Sequence, residues 1–416
     1  MPDEDEAIEE YRLGARVWLA DHVLPRTGRR PRRTVDDYTP EVLAESRVLQ
    51  RTMFDAGYAG ITWPTEYGGQ GLSSAYESAF LEEAARYELP DFGPLTATTF
   101  QICVPTMLAH ASPEFLARFV PKVLVGEALV CQFFSEPSSG SDLAGVRTRA
   151  RRDGDQWVIN GQKVWSTFAH LADWGMCLAR TDWDAPKHRG LTWFAVRCDA
   201  PGVTIRPIQQ IGETAEFCED FFDDVVVPDA DRVGDVNAGW AVTRTMLGLE
   251  RAARRPEETG LGGGPGALAP DLVRLAARAG RIDDPVVRQR LARAHSAEFV
   301  GRALAARVGE HLRRGERTGA FAAYDKLFRG TYNPIRARLA VEIGGAPAMT
   351  WIPGDAEGAE TSLAYLNGRT SSIAGGTNEM QRNAIAEQIL GLPREASVDA
   401  DRPFREVVRD VDGGRG

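Results

Sequence analysis

Over the first 130 residues apolar positions recur at helical spacing. "AIEEYRLGARVWLADHV", "EVLAESRVLQRTMFDAG" and "AYESAFLEEAARYE" each gather them on one face, which predicts amphipathic helices. "RTGRRPRR" (26–33) reads as a solvated basic loop, and "WPTEYGGQGL" (63–72) as a Pro/Gly loop between helices. Near residue 131 the period drops to two. "GVRTRARRDGDQWVINGQKVW" alternates and contains Asp153-Gly154 and Asn160-Gly161, both strong hairpin signals. "DWGMCLART", "GLTWFAVRC", "GVTIRPI" and "EDFFDDVVVP" follow as short strands. Helical spacing returns at Ala238 with "GWAVTRTMLGLERAA". After a loop at 256–270 it continues through "DLVRLAARAG", "DPVVRQRLARAHSAEFVGRALAARVGEHLRRG" and "AYDKLFRGTYNPIRARLAVEIGG". The predicted organisation is α+β and multidomain. An N-terminal α-helical domain covers 1–130, a middle β domain 131–234, a C-terminal α-helical domain 235–395 and a polar tail 396–416. At 416 residues the chain exceeds what one hydrophobic core holds.

Composition narrows the function classes. The net charge of -10 argues against nucleic acid or an anionic membrane as the main partner, yet leaves room for an anionic small ligand in a local basic pocket. No run reaches the about 20 apolar residues of a membrane span. The start "MPDEDEAIEE" lacks the basic and apolar regions of a signal peptide, so a cytoplasmic location is expected. The five cysteines are scattered without a CxxC pair and are expected as reduced thiols. The six histidines show no metal spacing, so no metal is expected, and no GxSxG elbow occurs. "GLGGGPG" follows no predicted strand and is interrupted by Pro265, which argues against a dinucleotide fingerprint.

Four segments carry candidate chemistry. "FFSEPSSGSDLAG" (133–145) ends a strand in a turn rich in hydroxyls and backbone donors. "KVWSTFAH" (163–170) places Trp165 and Thr167 on one strand face, where Trp165 is either core or a stacking platform. "GGTNEMQRNAIAEQIL" (375–390) is a glycine turn leading into a helix, whose start offers backbone N–H groups to an anion or polar cofactor. On the helix that contains "TMLGLERAARR", Glu250 follows Thr243, Met246 and Leu247 on one face. A carboxylate that continues an apolar stripe is either half of a structural ion pair or a base in a dry pocket.

"SEPSSGSD", "INGQKVWSTFAH", "FFDDVVVPDADRVGDVNAGW" and "GGTNEMQRNAIAEQILGLP" together resemble, in this order and spacing, the acyl-CoA dehydrogenase family. "WPTEYGGQGL" is similar to that family's N-terminal loop, and the resemblance runs from about residue 8 to 394. It implies an α-helical N-terminal domain, a β-barrel-like middle domain and a C-terminal four-helix bundle. It also implies FAD between the last two, and FAD-dependent α,β-dehydrogenation of an acyl-CoA or acyl-carrier-protein thioester. The implied electron acceptor is an electron-transfer flavoprotein. By position, Gln132, Phe134, Ser135, Gly140 and Ser141 would line the flavin's pyrimidine side and the diphosphate. Trp165 and Thr167 would flank the isoalloxazine ring, and Thr377 and Glu379 would reach the ribityl or nucleotide part. Ser141, Arg251 and Gly375 fall at substrate positions.

Many relatives carry the catalytic base as a glutamate where this chain has Gly375. Isovaleryl-type and long-chain-type relatives carry it instead on an earlier helix, in a Glu-Arg pair that Glu250-Arg251 matches. The backbone N–H at Gly375 would remain as an oxyanion donor, because losing a side chain does not lose an N–H. Two departures bear on assembly. The family's R-x-x-F-G, whose arginine reaches FAD in a neighbouring subunit, appears here as Arg278 with Arg281 and Ile282 in place of the last two residues. The loop at 256–270 also replaces helical sequence. The implied assembly is a homotetramer, or a homo- or hetero-oligomer with fewer flavins. Two rival functions share the motifs: flavin-dependent oxygen chemistry, and a partner subunit that completes another chain's site.

Overall fold

The computed structural model describes residues 4–26, 35–252, 270–314, 318–350, 356–397 and 399–413. The basic loop after Arg26 and most of the loop at 256–270 lie outside the described residues. Contacts divide the chain into two compact units: Met1–Gln210 with Thr214–Met246 and Val398–Gly416, and Ile211–Glu213 with Leu247–Ser397.

The first unit begins with α1 (Glu4–His22), α2 (Pro40–Asp55) and α3 (Ser74–Ala84), then α4 (Pro94–Ala97), α5 (Val104–His110) and α6 (Pro113–Leu124). Thr39 and Ser112 cap α2 and α6 by accepting from the N–H groups of Val42 and Phe115. Ala15, Leu19, Met53, Ile61 and Phe80 form one apolar core, and Arg16 pairs with Glu83 at 2.8 Å beside it. The helical reading of 1–130 holds at all three quoted segments.

Eight strands follow: β1 (Val130–Phe133), β2 (Arg149–Asp153), β3 (Gln156–Thr167), β4 (Trp174–Arg180), β5 (Leu191–Arg197), β6 (Val203–Ile208), β7 (Phe217–Pro228) and β8 (Arg232–Val233). They form one sheet in the order β6-β7-β3-β2-β4-β5-β8, with β1 pairing parallel to β4. Asp153 pairs with Gln156 around Gly154, so the Asp-Gly signal marks a real hairpin. The Asn160-Gly161 signal does not. Those residues lie inside β3, where the register against β7 shifts between Ile159 and Gly161. A Cβ on Gly161 would sit 2.5 Å from Thr148 Oγ1, so this glycine permits close strand approach rather than a turn. Asn160 is occupied across the ladder, accepting from the Asp224 N–H at 2.9 Å.

The second unit takes the end of α7 (Gly239–Ala252), then α8 (Pro270–Arg278), α9 (Pro285–Arg313), α10 (Thr318–Gly344), α11 (Ala356–Leu366) and α12 (Asn378–Ala384). Leu272, Ala276, Val287, Leu291, Leu339 and Ile343 build its main core. Among them sits a buried polar knot: Arg336 donates to Glu298 at 3.0 Å and to Asp271, and Tyr332 donates to the Ala294 carbonyl at 3.1 Å. The tail expected at 396–416 is polar in composition but contains α13 (Phe404–Gly413), which belongs to the first unit. Phe404 is buried there under the Arg180 guanidinium, 3.6 Å from its ring centre, and Lys187 ties Asp399 to the chain at 2.8 Å.

Candidate active site

In the first unit the Ser/Gly-rich segment hangs from the end of β1 and is held from below by a buried ion pair. Lys163 on β3 is fully buried and donates to Glu136 Oε1 and to the Phe134 carbonyl, each at 2.9 Å. Glu136 also accepts the N–H groups of Arg147 at 2.6 Å and Thr148 at 2.8 Å. Burial alone would raise this carboxyl, but Lys163 and the N–H donors outweigh it and hold Glu136 below the usual range. Val164 N–H donates to the Ser135 carbonyl at 2.9 Å, which fastens the segment to β3. Gly140 and Ser141 form the exposed tip, and a Cβ added at Gly140 would meet nothing within 4 Å. Gln132 Nε2 is buried with no hydrogen-bond partner among the described residues.

Trp165 does not sit in a regular alternation with Thr167. The β3–β7 register shifts between Val164 and Ser166, and Trp165 takes φ 69°, in the left-handed region that a bulky residue rarely adopts. The bulge turns the indole out, leaving it 58% exposed, edge-on to Phe217. This excludes the core reading of Trp165 within its unit. Beneath the bulge, Ser166 donates to Asp220 Oδ2 at 2.6 Å. Burial pushes Asp220 up to about 7, against the pull of Ser166 and Lys163. Neither Asp220 nor the Lys163–Glu136 pair was visible as a unit in the sequence, because β3–β7 pairing brings Asp220 to Lys163 and the folding of the Ser/Gly segment against β3 brings Glu136.

In the second unit the glycine turn and the glutamate meet. Gly375 and Gly376 have φ 67° and 89°, the left-handed region that glycine enters without steric cost. Gln381 Nε2 locks the turn by donating to the carbonyls of Gly375 at 3.3 Å and Gly376 at 3.0 Å. A Cβ built on Gly375 would lie 3.3 Å from Glu250 Oε1 and 3.4 Å from Lys326 Cε. A side chain starting at 375 would therefore start beside the Glu250 carboxylate. On α7, Thr243 and Met246 are fully buried and Glu250 is half-buried, so the apolar stripe read from the sequence leads to this carboxylate.

The other expected residues have local tasks. Thr377 caps α12 by accepting from the Met380 N–H, and the exposed Glu379 pairs with Arg382 at 3.1 Å. Arg278 closes α8 and is exposed. Arg281 donates to the carbonyls of Glu342 at 3.0 Å and Ile343 at 3.2 Å, which fixes the α8–α9 turn to the end of α10. The side chain of Arg251 lies outside the described residues. Among the described residues no group of three or more His, Cys, Asp or Glu could hold a metal, and no helix is long and apolar enough to cross a membrane.

Family models match nearly the whole chain: the acyl-CoA dehydrogenase N-terminal domain over 5–127, its middle domain over 131–225 and its C-terminal domain over 237–390. The chain belongs to the acyl-CoA dehydrogenase family. It is an oxidoreductase of that class, in a family of flavoproteins. It is 40% identical over 396 residues to acyl-CoA dehydrogenase IpdE1 of Mycobacterium tuberculosis, covering 94% of this chain and 99% of the relative. A solved structure described as the Tcur3481-Tcur3483 steroid ACAD superposes with a TM-score of 0.72 at 28% identity, covering 94% of this chain and 98% of that one. The ChsE4-ChsE5 complex from Mycobacterium tuberculosis gives 0.69 at 27% identity, with the same coverages. The expected α+β multidomain fold and the family resemblance are thereby borne out.

Proposed function

We propose that the protein is an FAD-dependent dehydrogenase that desaturates an acyl-CoA between its α and β carbons, with Glu250 as the base. The observation that carries this reading is the convergence of the Glu250 carboxylate on Gly375, the position where many relatives hold the base. FAD fits the chain's own features. Gln132 Nε2 is a buried donor without a partner among the described residues, a Cβ at Gly140 would meet nothing within 4 Å at a turn of hydroxyls and N–H groups, and Trp165 presents an exposed ring. Gln132, Phe134, Ser135, Gly140, Ser141, Trp165 and Thr167 would hold the flavin and diphosphate, with Thr377, Glu379 and Arg278 toward the remainder.

An α-hydrogen beside a thioester is only weakly acidic. Its removal requires a carboxylate shielded from water and a donor at the carbonyl oxygen. Glu250 supplies the carboxylate from α7. The backbone N–H of Gly375 supplies the donor, and Gln381 keeps the turn that carries it from shifting. Ser141 and Arg251 would orient the thioester. When bound, FAD would supply the two-electron acceptor for the β-hydrogen, which leaves the substrate as hydride.

The acyl group is proposed to be bulky and the assembly hetero-oligomeric. The support is a base carried on the helix, together with neighbours described as a steroid ACAD and as a two-component complex. Electron-transfer flavoprotein is the proposed acceptor, and the location is proposed as cytoplasmic. The purified protein, alone or with a partner chain, should be yellow and release FAD on denaturation. Mixed anaerobically with bulky acyl-CoAs it should bleach, and should reoxidise slowly when air is admitted. Rapid reaction of the reduced flavin with oxygen would favour an oxidase instead.

A further inference from the structure

We propose that Lys326 is a positioning residue for the α-proton transfer: it ties the turn that carries the Gly375 N–H and sets its charge beside the Glu250 carboxylate, an inference that rests on Glu250 being the base. Three observations carry it. Lys326 lies on α10 with only 8% of its surface exposed, in a run of otherwise ordinary helix sequence, "AYDKLFRG". A lysine is almost never buried without a task for its charge. Its Nζ donates to the Ser371 carbonyl at 2.6 Å, in the short helical segment Asn367–Ser372 that leads directly into the glycine turn. Its Cε lies 3.4 Å from the point where a Gly375 Cβ would be, and Glu250 Oε1 lies 3.3 Å from the same point.

The electrostatics agree with this placement. Burial lowers the Lys326 ammonium and Arg329 lowers it further, while Glu250 pulls it back up. Arg329 is itself paired with Asp325 at 3.1 Å. The turn from Ser371 to Gly376 brings no charged side chain. The cation of Lys326 and the anion of Glu250 therefore sense each other across Gly375.

The consequence for the reaction follows from where charge moves. During proton removal, negative charge leaves the carboxylate and grows on the thioester oxygen beside the Gly375 N–H. A cation beside the carboxylate and tied to the turn that carries this N–H compensates the charge as it moves. The Ser371 bond adds a mechanical role. It holds the 371–376 segment, so base and oxyanion donor keep one separation, and a shift of about 1 Å between them can cost on the order of 100-fold.

The test uses the holoenzyme and two readouts. The first is the anaerobic rate of flavin reduction with the acyl-CoA that reduces it fastest. The second is exchange of α-hydrogens with deuterium oxide in the 3-thia analogue of that acyl-CoA, whose sulfur at the β position leaves no hydride to give. K326M keeps length and apolar bulk but removes the charge and the Ser371 bond. It should slow both readouts about 10- to 100-fold, with KM changed by less than about threefold and FAD content unchanged. K326R restores a cation and should recover at least about a third of the lost rate on a logarithmic scale. In a Glu250→Gln background, adding K326M should slow reduction by less than about threefold, because the two residues act on one step. α-Hydrogen exchange in K326M within about threefold of the parent overturns the proposal. So does a loss that K326R does not recover and that raises KM as much as it lowers kcat, which marks packing alone. Should K326M fail to fold, K326Q and K326R are compared on the same two readouts. If Glu250→Gln itself stays fully active, the base assignment fails; if Glu250→Gln is inactive while K326M is normal, only the role of Lys326 fails.

Discussion

Glu250→Gln should retain FAD, bind acyl-CoA and lose between about 10² and 10⁴ of the flavin-reduction rate. Glutamine preserves size and one hydrogen-bond acceptor but cannot take up the α-proton. Stopped-flow reduction under anaerobic conditions reads the effect directly, and a loss below about tenfold would remove Glu250 from the role of base. The same substitution also explores what Gly375 contributes. Restoring a carboxylate by Gly375→Glu in that background should give partial recovery at best. The backbone there has φ 67°, which an L side chain adopts reluctantly, and the new Cβ would lie 3.4 Å from Lys326 Cε. Recovery on short, straight acyl chains and not on bulky ones would fit two seats facing one α-carbon.

Lys163→Met should strongly destabilise the first unit, which contains the sheet. It leaves the Glu136 carboxylate buried without its cation and frees the Phe134 carbonyl. Breaking such a pair from one side costs about 3–5 kcal/mol. The N–H groups of Arg147 and Thr148 still solvate Glu136, so the lower end is expected. For a unit of this size that corresponds to a fall in Tm of roughly 6–12 °C by calorimetry. Removing both charges together, Lys163→Met with Glu136→Leu, should recover part of the loss, since it leaves no unpaired buried ion. The Ser/Gly segment should also loosen, so FAD retention in Lys163→Met should fall in step. A fall in Tm below about 2 °C would mean that the pair does not support the segment.

Much of this was legible in the sequence because it is local. Helical spacing in "AIEEYRLGARVWLADHV" became α1, and the stripe Thr243, Met246, Leu247 led to Glu250 on α7. The Asp153-Gly154 hairpin formed because nothing competes with its turn. Asn160-Gly161 has the same local preference, yet the pairing of β3 with β7 overrides it and uses the glycine for close approach to Thr148. The indole of Trp165 is likewise turned out by a bulge that alternation alone does not encode. What the sequence hid is non-local. Lys163 on β3 meets Glu136 in the Ser/Gly segment 27 residues earlier, Arg281 reaches the end of α10, and Lys326 faces Glu250 only because α7, α10 and the 371–376 turn converge. Phe404 is similar: one aromatic residue in a polar segment gives no periodic signal, and its burial against Arg180 follows from the chain returning to the first unit.

The central claim is the reaction itself, α,β-desaturation of an acyl-CoA. Its most direct measurement is the mass of the product after an anaerobic single turnover, with enzyme-bound flavin in excess over the acyl-CoA. The account predicts a CoA thioester lighter by two hydrogens, formed in equal amount to the flavin reduced, with one hydrogen lost from the α carbon and one from the β carbon of a specifically deuterated substrate. Recovery of unchanged acyl-CoA beside fully oxidised flavin, with every plausible partner chain supplied, or a product that has gained oxygen once air is admitted, would contradict it.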